Sequence, residues 1–266
     1  MTSNTECPRR VILFAVGALG LSCVMAQLAL MRELLGAFSG NELVLGVTLG
    51  LWLLLMGIGT MLGRTSDKLR NPVLVLFVTQ ILVAMLPLAQ VLALRALRNM
   101  IFIRGAEVGV TGTVISTLVL LLPYGVVAGY ALTLACSILA CLANDGAPSQ
   151  ASGRVYVADS VGSVAGGVLF SFVLVRLFDH AGILVFPACL NLLAAATGFW
   201  CGRRLLAAAA LVLAAGVPAI AFPGNLDGLS TGWLFQKQHV VARANSPYGK
   251  LVVTDFQRLP RTVLRP

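Results

Sequence analysis

The stretch GRVYVADSVGSVAGGVLFSFVLVRL, residues 153–177, decides the fold class. It is long enough to cross a bilayer, whose hydrocarbon core of about 30 Å takes about 20 apolar residues as a helix. A helix surrounded only by lipid has no use for Asp159 or for a row of glycines and serines. Gly162 and Gly166 are four residues apart, as are Ser163 and Gly167. One side of the helix is therefore nearly bare backbone, and another helix can pack closely against it. The spacing predicts that the remaining helices assemble on that side, with Tyr156 and Asp159 at its start.

The composition points the same way. The 266 residues are 58% hydrophobic and 11% charged, with a mean hydropathy of +0.92, whereas soluble domains carry about 25% charged residues. The chain reads as an all-α polytopic membrane protein with the bilayer as its first partner. Its net charge of +9 is not a nucleic-acid signature. The nineteen Lys and Arg lie mostly between apolar runs or in the last thirty residues, where anionic headgroups or a cytosolic partner account for them. Cys7, Cys23, Cys136, Cys141, Cys189 and Cys201 form no Cys-x-x-Cys pair, and five of them fall within or at the ends of apolar runs, so they read as small core residues. His180 has no second His or Cys at ligand spacing, so no metal is expected.

Working outward, the apolar runs give seven crossings at 11–31, 43–63, 72–94, 108–141, 153–177, 181–201 and 205–222. The first has a basic start like a signal peptide but no Ala-x-Ala cleavage site, and is read as a membrane helix. The turn after it holds Arg32, Glu33 and Glu42. These are either interfacial charges, with Asn41 capping the next helix, or the lining of a polar cavity, since ionisable groups within a membrane bundle commonly mark a site. Gly46 with Gly50, Gly59 with Gly63 and Gly125 with Gly129 repeat the close-packing spacing of Gly162 with Gly166. Gln80 and Gln90 are expected to hydrogen-bond neighbouring helices. The connection 95–107, with Arg95, Arg98 and Arg104, suits a segment in the headgroup layer.

Residues 108–141 would make a helix of about 50 Å, longer than one crossing. A helix kinked at Pro123 is expected rather than a re-entrant piece plus a crossing. Asp159 has two readings: a packed residue at its helix entrance, or a member of a polar site shared with Arg32 or Glu42. From residue 223 the composition changes, which divides the chain into a bundle at 1–222 and a soluble tail at 223–266. Two strand-like runs, 240–243 and 250–256, flank a turn-forming cluster at 245–249. For seven crossings, eight Lys and Arg fall on the side of the first helix start and six on the other. That weakly favours a cytoplasmic N-terminus and an external tail.

Four segments together resemble the membrane portion of multi-pass spermidine synthase-like proteins: AQLALMRELL at 26–35, NEL at 41–43 through LWL at 51–53, LLPYG at 121–125 and GRVYVADSVG at 153–162. In that family a helical, major-facilitator-like membrane domain is fused to a polyamine aminopropyltransferase domain. The likeness covers most of 27–177. The tail SPYGKLVV at 246–253 resembles the first strands of the synthase domain, with Gly249 where a Gln is common. No Gly-x-Gly-x-x-Gly opens a helix after a strand, so no catalytic residue and no cofactor is carried over. The resemblance implies a cytosolic synthase domain, opposite to the charge count.

Three functions are open at this point. The chain is the cell-membrane anchor of a spermidine synthase-like protein, pairing through 223–266 with an aminopropyltransferase-type domain or chain. Alternatively it is a small transporter or channel in which Arg32, Glu33, Glu42 and Asp159 line a route for a cationic or amphipathic solute. Or it is a structural subunit of a membrane complex.

Overall fold

In lipid, every backbone amide and carbonyl must find its partner within the protein, and a helix does this for a single segment. Each apolar run accordingly becomes a helix. The structure is a computed structural model and describes residues 9–38, 42–101, 108–142, 148–200, 203–222, 226–234, 239–246 and 249–255. The helices are α1 (Arg9–Ala37), α2 (Glu42–Gly63), α3 (Pro72–Ile101), α4 (Val110–Cys141), α5 (Pro148–Leu169), α6 (Val175–Leu177), α7 (His180–Trp200), α8 (Arg204–Ala221) and α9 (Leu226–Leu234). A π-helical turn, Phe170–Leu174, joins α5 to α6, so the 153–177 stretch is helical to Leu177; it packs mainly against α1 and α4 instead of gathering the remaining helices, and Tyr156 is exposed. Seven spans are long and apolar enough to cross a membrane, and the chain is an integral, multi-pass membrane protein.

The glycines set where the helices meet. On the α1–α5 seam, a Cβ at Gly162 would overlap the carbonyl of Gly17, one at Gly20 would overlap that of Asp159, and one at Gly166 would stand 2.7 Å from the Leu21 oxygen. Ser163 Oγ donates to the Gly20 carbonyl at 3.3 Å across the same seam. On the α2–α4 seam, a Cβ at Gly59 would overlap the Val126 carbonyl and one at Gly129 that of Met56. Gly125 meets the side chain of Leu55, and Gly63 that of Thr133. Where α3 crosses α7, the Phe77 ring fills the space over Gly198 and stacks edge-on against Phe199 at 5.8 Å.

Among the described residues two large apolar cores lie one above the other, with a small third cluster of Ala84, Ala188 and Leu192 where α3 meets α7. Ile12, Val16, Phe77, Leu134, Val155 and Phe199 pack together near the first face, where α1 begins. Leu30, Leu34, Trp52, Leu55, Leu121 and Tyr124 pack near the second face, where α1 ends. Gln80 Nε2 donates to the Ala15 carbonyl at 2.8 Å, and Gln90 Nε2 donates to that of Leu120. Both glutamines join neighbouring helices as expected.

Several boundaries differ from the sequence reading. Arg32 and Glu33 lie within α1, which runs on to Ala37 because Leu34, Ala37 and Phe38 are buried there. Arg95 and Arg98 lie within α3, which continues to Ile101 instead of ending near residue 94. As expected, residues 110–141 form a single helix with Pro123 inside it. Gly46 and Gly50 meet no neighbour within 4 Å. They are exposed, so the close packing expected of them is not formed within this chain; the packed face of α2 is set by Val44, Thr48, Trp52, Leu55, Gly59 and Gly63. Cys141 is exposed at the end of α4, while Cys23, Cys136 and Cys189 are partly buried. Asn41, Cys7, Cys201 and Arg104 lie outside the described residues.

After seven crossings the chain emerges at the second face. There α9 packs mainly against α3, and an antiparallel ladder pairs β1 (His239–Ser246) with β2 (Gly249–Asp255), with a register irregularity between Val240 and Ala242. The strands are longer at the turn than the sequence runs suggested.

Adding a side chain in the seams should cost stability by overpacking. Gly162→Leu and Gly59→Leu are each expected to lower the unfolding free energy in detergent micelles by at least about 1–3 kcal/mol. Gly50→Leu, on an open face, should stay within about 0.5 kcal/mol of the parent. Equal losses at all three positions would contradict the seam assignment.

Candidate functional site

The most strongly built polar feature stands at the second face, where α1, α3 and α9 converge. Arg95 on α3 is only 1% exposed, and Glu33 on α1 is 9% exposed. A guanidinium presents its N–H groups in a planar fork that matches a carboxylate. Arg95 uses that fork: Nε donates to Glu33 Oε2 at 3.0 Å, and Nη2 donates to Oε1 in the ion pair. Its third edge, Nη1, donates to Ser230 Oγ of α9 at 2.7 Å. Ser230 is itself 1% exposed, so α9 covers the pair from the aqueous side.

This arrangement follows from the cost of burying charge. An uncompensated ion at such a depth costs several kcal/mol, whereas a pair with its remaining protons hydrogen-bonded does not. One helical turn further along α3, Arg98 Nε donates to the Ala37 carbonyl at 2.8 Å. Ala37 is the last residue of α1, where carbonyls lack intrahelical partners and the macrodipole favours a cation. Arg95 and Arg98 together fasten the end of α1 to α3.

Arg32 is next to Glu33 in sequence but points elsewhere. Its guanidinium lies over the Phe170 ring at 6.0 Å from the centroid, a cation–π geometry. Phe170 opens the π-helical turn that joins α5 to α6, and such turns are frequent at functional positions.

The four polar residues singled out from the sequence therefore do not form one site. Glu33 is in the buried pair and Arg32 is its neighbour on the Phe170 side. Glu42 is exposed at the first residue of α2. Asp159 lies half-buried against Gly20 of α1. Gly20 precedes Arg32 by twelve residues on the same helix, which separates the two levels by about 18 Å. A site shared by Asp159 with Arg32 or Glu42 is not formed.

Two members of the cluster escaped the sequence reading. The sequence pattern puts Arg95 in a headgroup-layer segment and Ser230 in the soluble tail, so neither marks the cluster. The pattern Leu229, Trp233 around Gly228 and Ser230 is the signal that could have revealed a short helix with a small-residue face. Among the described residues no cluster of three His, Cys, Asp or Glu could hold a metal ion. The cluster contains no nucleophile activated by a base. What it does chemically is hold three chain segments together by one buried cation.

No family model, no curated protein and no solved structure matches this chain.

Breaking the pair should be far worse than removing it. Arg95→Met alone leaves a buried carboxylate and is expected to cost about 3–5 kcal/mol. Replacing Arg95 and Glu33 together by Met should recover most of that loss. A double-mutant cycle from chemical unfolding in micelles would show it as a large coupling energy; additive losses would contradict a buried, mutually compensating pair.

Proposed function

We propose that this chain is the cell-membrane part of a spermidine synthase-like protein, and that it holds an aminopropyltransferase-type domain or chain at the second face. The observation that carries this reading is the docking of α9. Ser230 accepts a hydrogen bond from Arg95, and that bond fixes the point at which the chain leaves the bundle. A free linker would leave whatever follows it unoriented. Here β1 lies against α6 and β2 against α1, so the hairpin starts from a defined position on the helix ends.

The hairpin supplies the docking chemistry. Two strands alone are marginal in water, and a two-stranded ladder has open edges to which further strands can add. The resemblance over 26–35, 121–125, 153–162 and 246–253 supports an aminopropyltransferase fold as the source of those strands. The role of the chain is anchoring and orientation; aminopropyl transfer belongs to the domain it holds. A solute route through Arg32, Glu33, Glu42 and Asp159 is disfavoured by their separation.

The reading has a consequence for topology. A cytosolic transferase domain puts the second face in the cytosol and the first face outside, against the weak charge count of eight to six. Cys141, exposed at the first-face end of α4, should then react with a membrane-impermeant thiol reagent in intact cells. Val241→Cys, at a position 63% exposed on β1, should react only after lysis. A photo-crosslinker on Val241→Cys should capture an aminopropyltransferase-fold domain, with capture reduced several-fold by Ser230→Ala. Labelling of Val241→Cys in intact cells, or recovery of the bundle alone, would overturn the proposal.

A further inference from the structure

The α3–α4 seam differs from the glycine seams in being polar and incompletely satisfied. Gln90 of α3 is 4% exposed, and Thr117 and Tyr124 of α4 are each fully buried. Gln90 Oε1 and Thr117 Oγ1 have no hydrogen-bond partner among the described residues, and Tyr124 Oη has the Ser22 hydroxyl beside it without a well-formed bond. Thr117 and Tyr124, seven residues apart, form a row along one face of α4, which Gln90 meets between them. Gln90 Nε2 donates to the carbonyl of Leu120, which lies between Thr117 and Tyr124 on one face of α4, two turns and about 10 Å apart. Gln90 and Arg95 are five residues apart on α3, so their side chains leave the helix about 140° apart and the row does not extend to the ion pair. At the inner end of the row, Ser22 and Cys23 of α1 lie beside Tyr124, and Cys23 lies within the electrostatic reach of Asp159. Gln80 Oε1 and Asn191 Oδ1 also lack partners, but no hydrogen bond joins them to this row.

A buried polar atom without a partner is costly, and native proteins meet that cost with ordered water where the site is polar enough to give each water two to four partners. The side-chain carbonyl of Gln90 can only accept, so what fills the row must donate. We propose that water occupies the α3–α4 seam as a short hydrated track, running from Gln90 and Thr117 to Tyr124. The track reaches the residues that neighbour Asp159. It makes the α3–α4 seam wet independently of what the second face holds.

X-ray hydroxyl-radical footprinting of the protein in lipid nanodiscs tests this, because radicals form from bound water and oxidise the side chains in contact with it. Tyr124 and Phe77 are equally shielded from bulk solvent, at 0% and 1% exposure. Tyr124 should be oxidised about tenfold faster than Phe77, which packs among apolar side chains and cannot hold a water. In Thr117→Val combined with Gln90→Met, the Tyr124 rate should fall to that of Phe77, while half-buried Tyr130 keeps its parental rate and reports an intact fold. Oxidation of Tyr124 at the Phe77 rate in the unaltered protein would overturn the proposal. So would a Tyr124 rate unchanged by the double substitution with Tyr130 also unchanged.

Discussion

Lipid tails are as apolar as leucine, so helices in a bilayer gain little by hiding leucines and must gain by close contact. That constraint explains the order of this bundle better than hydropathy does. Contact between backbones requires residues without side chains where helices cross, and Gly17, Gly20, Gly162 and Gly166 supply it for α1 and α5. Gly59, Gly125 and Gly129 supply it for α2 and α4. These two pairs are the rigid units of the structure. The third contact, between α3 and α7, is made differently, by an aromatic ring laid over Gly198.

Charge is handled by the complementary rule. A guanidinium within the helical bundle is tolerated only when each of its edges is occupied, and Arg95 satisfies that with two carboxylate oxygens and one hydroxyl. The pair consequently decides more than its own energy. It extends α1 and α3 beyond their apolar runs, because a helix that ended near residue 94 would lose the geometry that brings Arg95 to Glu33. It also recruits α9, since the third edge of the fork needs a partner from outside the two helices.

The parts of the fold that were legible in the sequence are those set by single-segment physics. Seven apolar runs became seven spans, and the small-residue stripes at Gly59, Gly125 and Gly162 fell on seams because close packing has a local spacing signature. Gly46 and Gly50 carry the same signature and meet none of the described residues, because spacing reports that a helix can be approached and not which helix approaches it. The charged cluster was half legible for the same reason. Glu33 stood out as an acid at a membrane edge, but Arg95 read as a headgroup residue. Its partner is 62 residues away, and the hydroxyl that completes its shell is 135 residues away. No local pattern encodes a contact at that separation.

These two rules also divide the bundle mechanically. In a glycine seam the helices touch through backbone, so any relative motion breaks many short contacts at once and finds no substitute partner. The α3–α4 seam is held by a glutamine side chain reaching a carbonyl, and Gln90 Oε1 and Thr117 Oγ1 have no hydrogen-bond partner among the described residues. Arg95 and Gln90 lie on the same helix, one at the anchored end and one at this seam. A pull on α9 is therefore passed through Arg95 to α3. Rigid pairs with a polar joint between them, tied at one end to the exiting chain, are what the residue chemistry of this bundle builds.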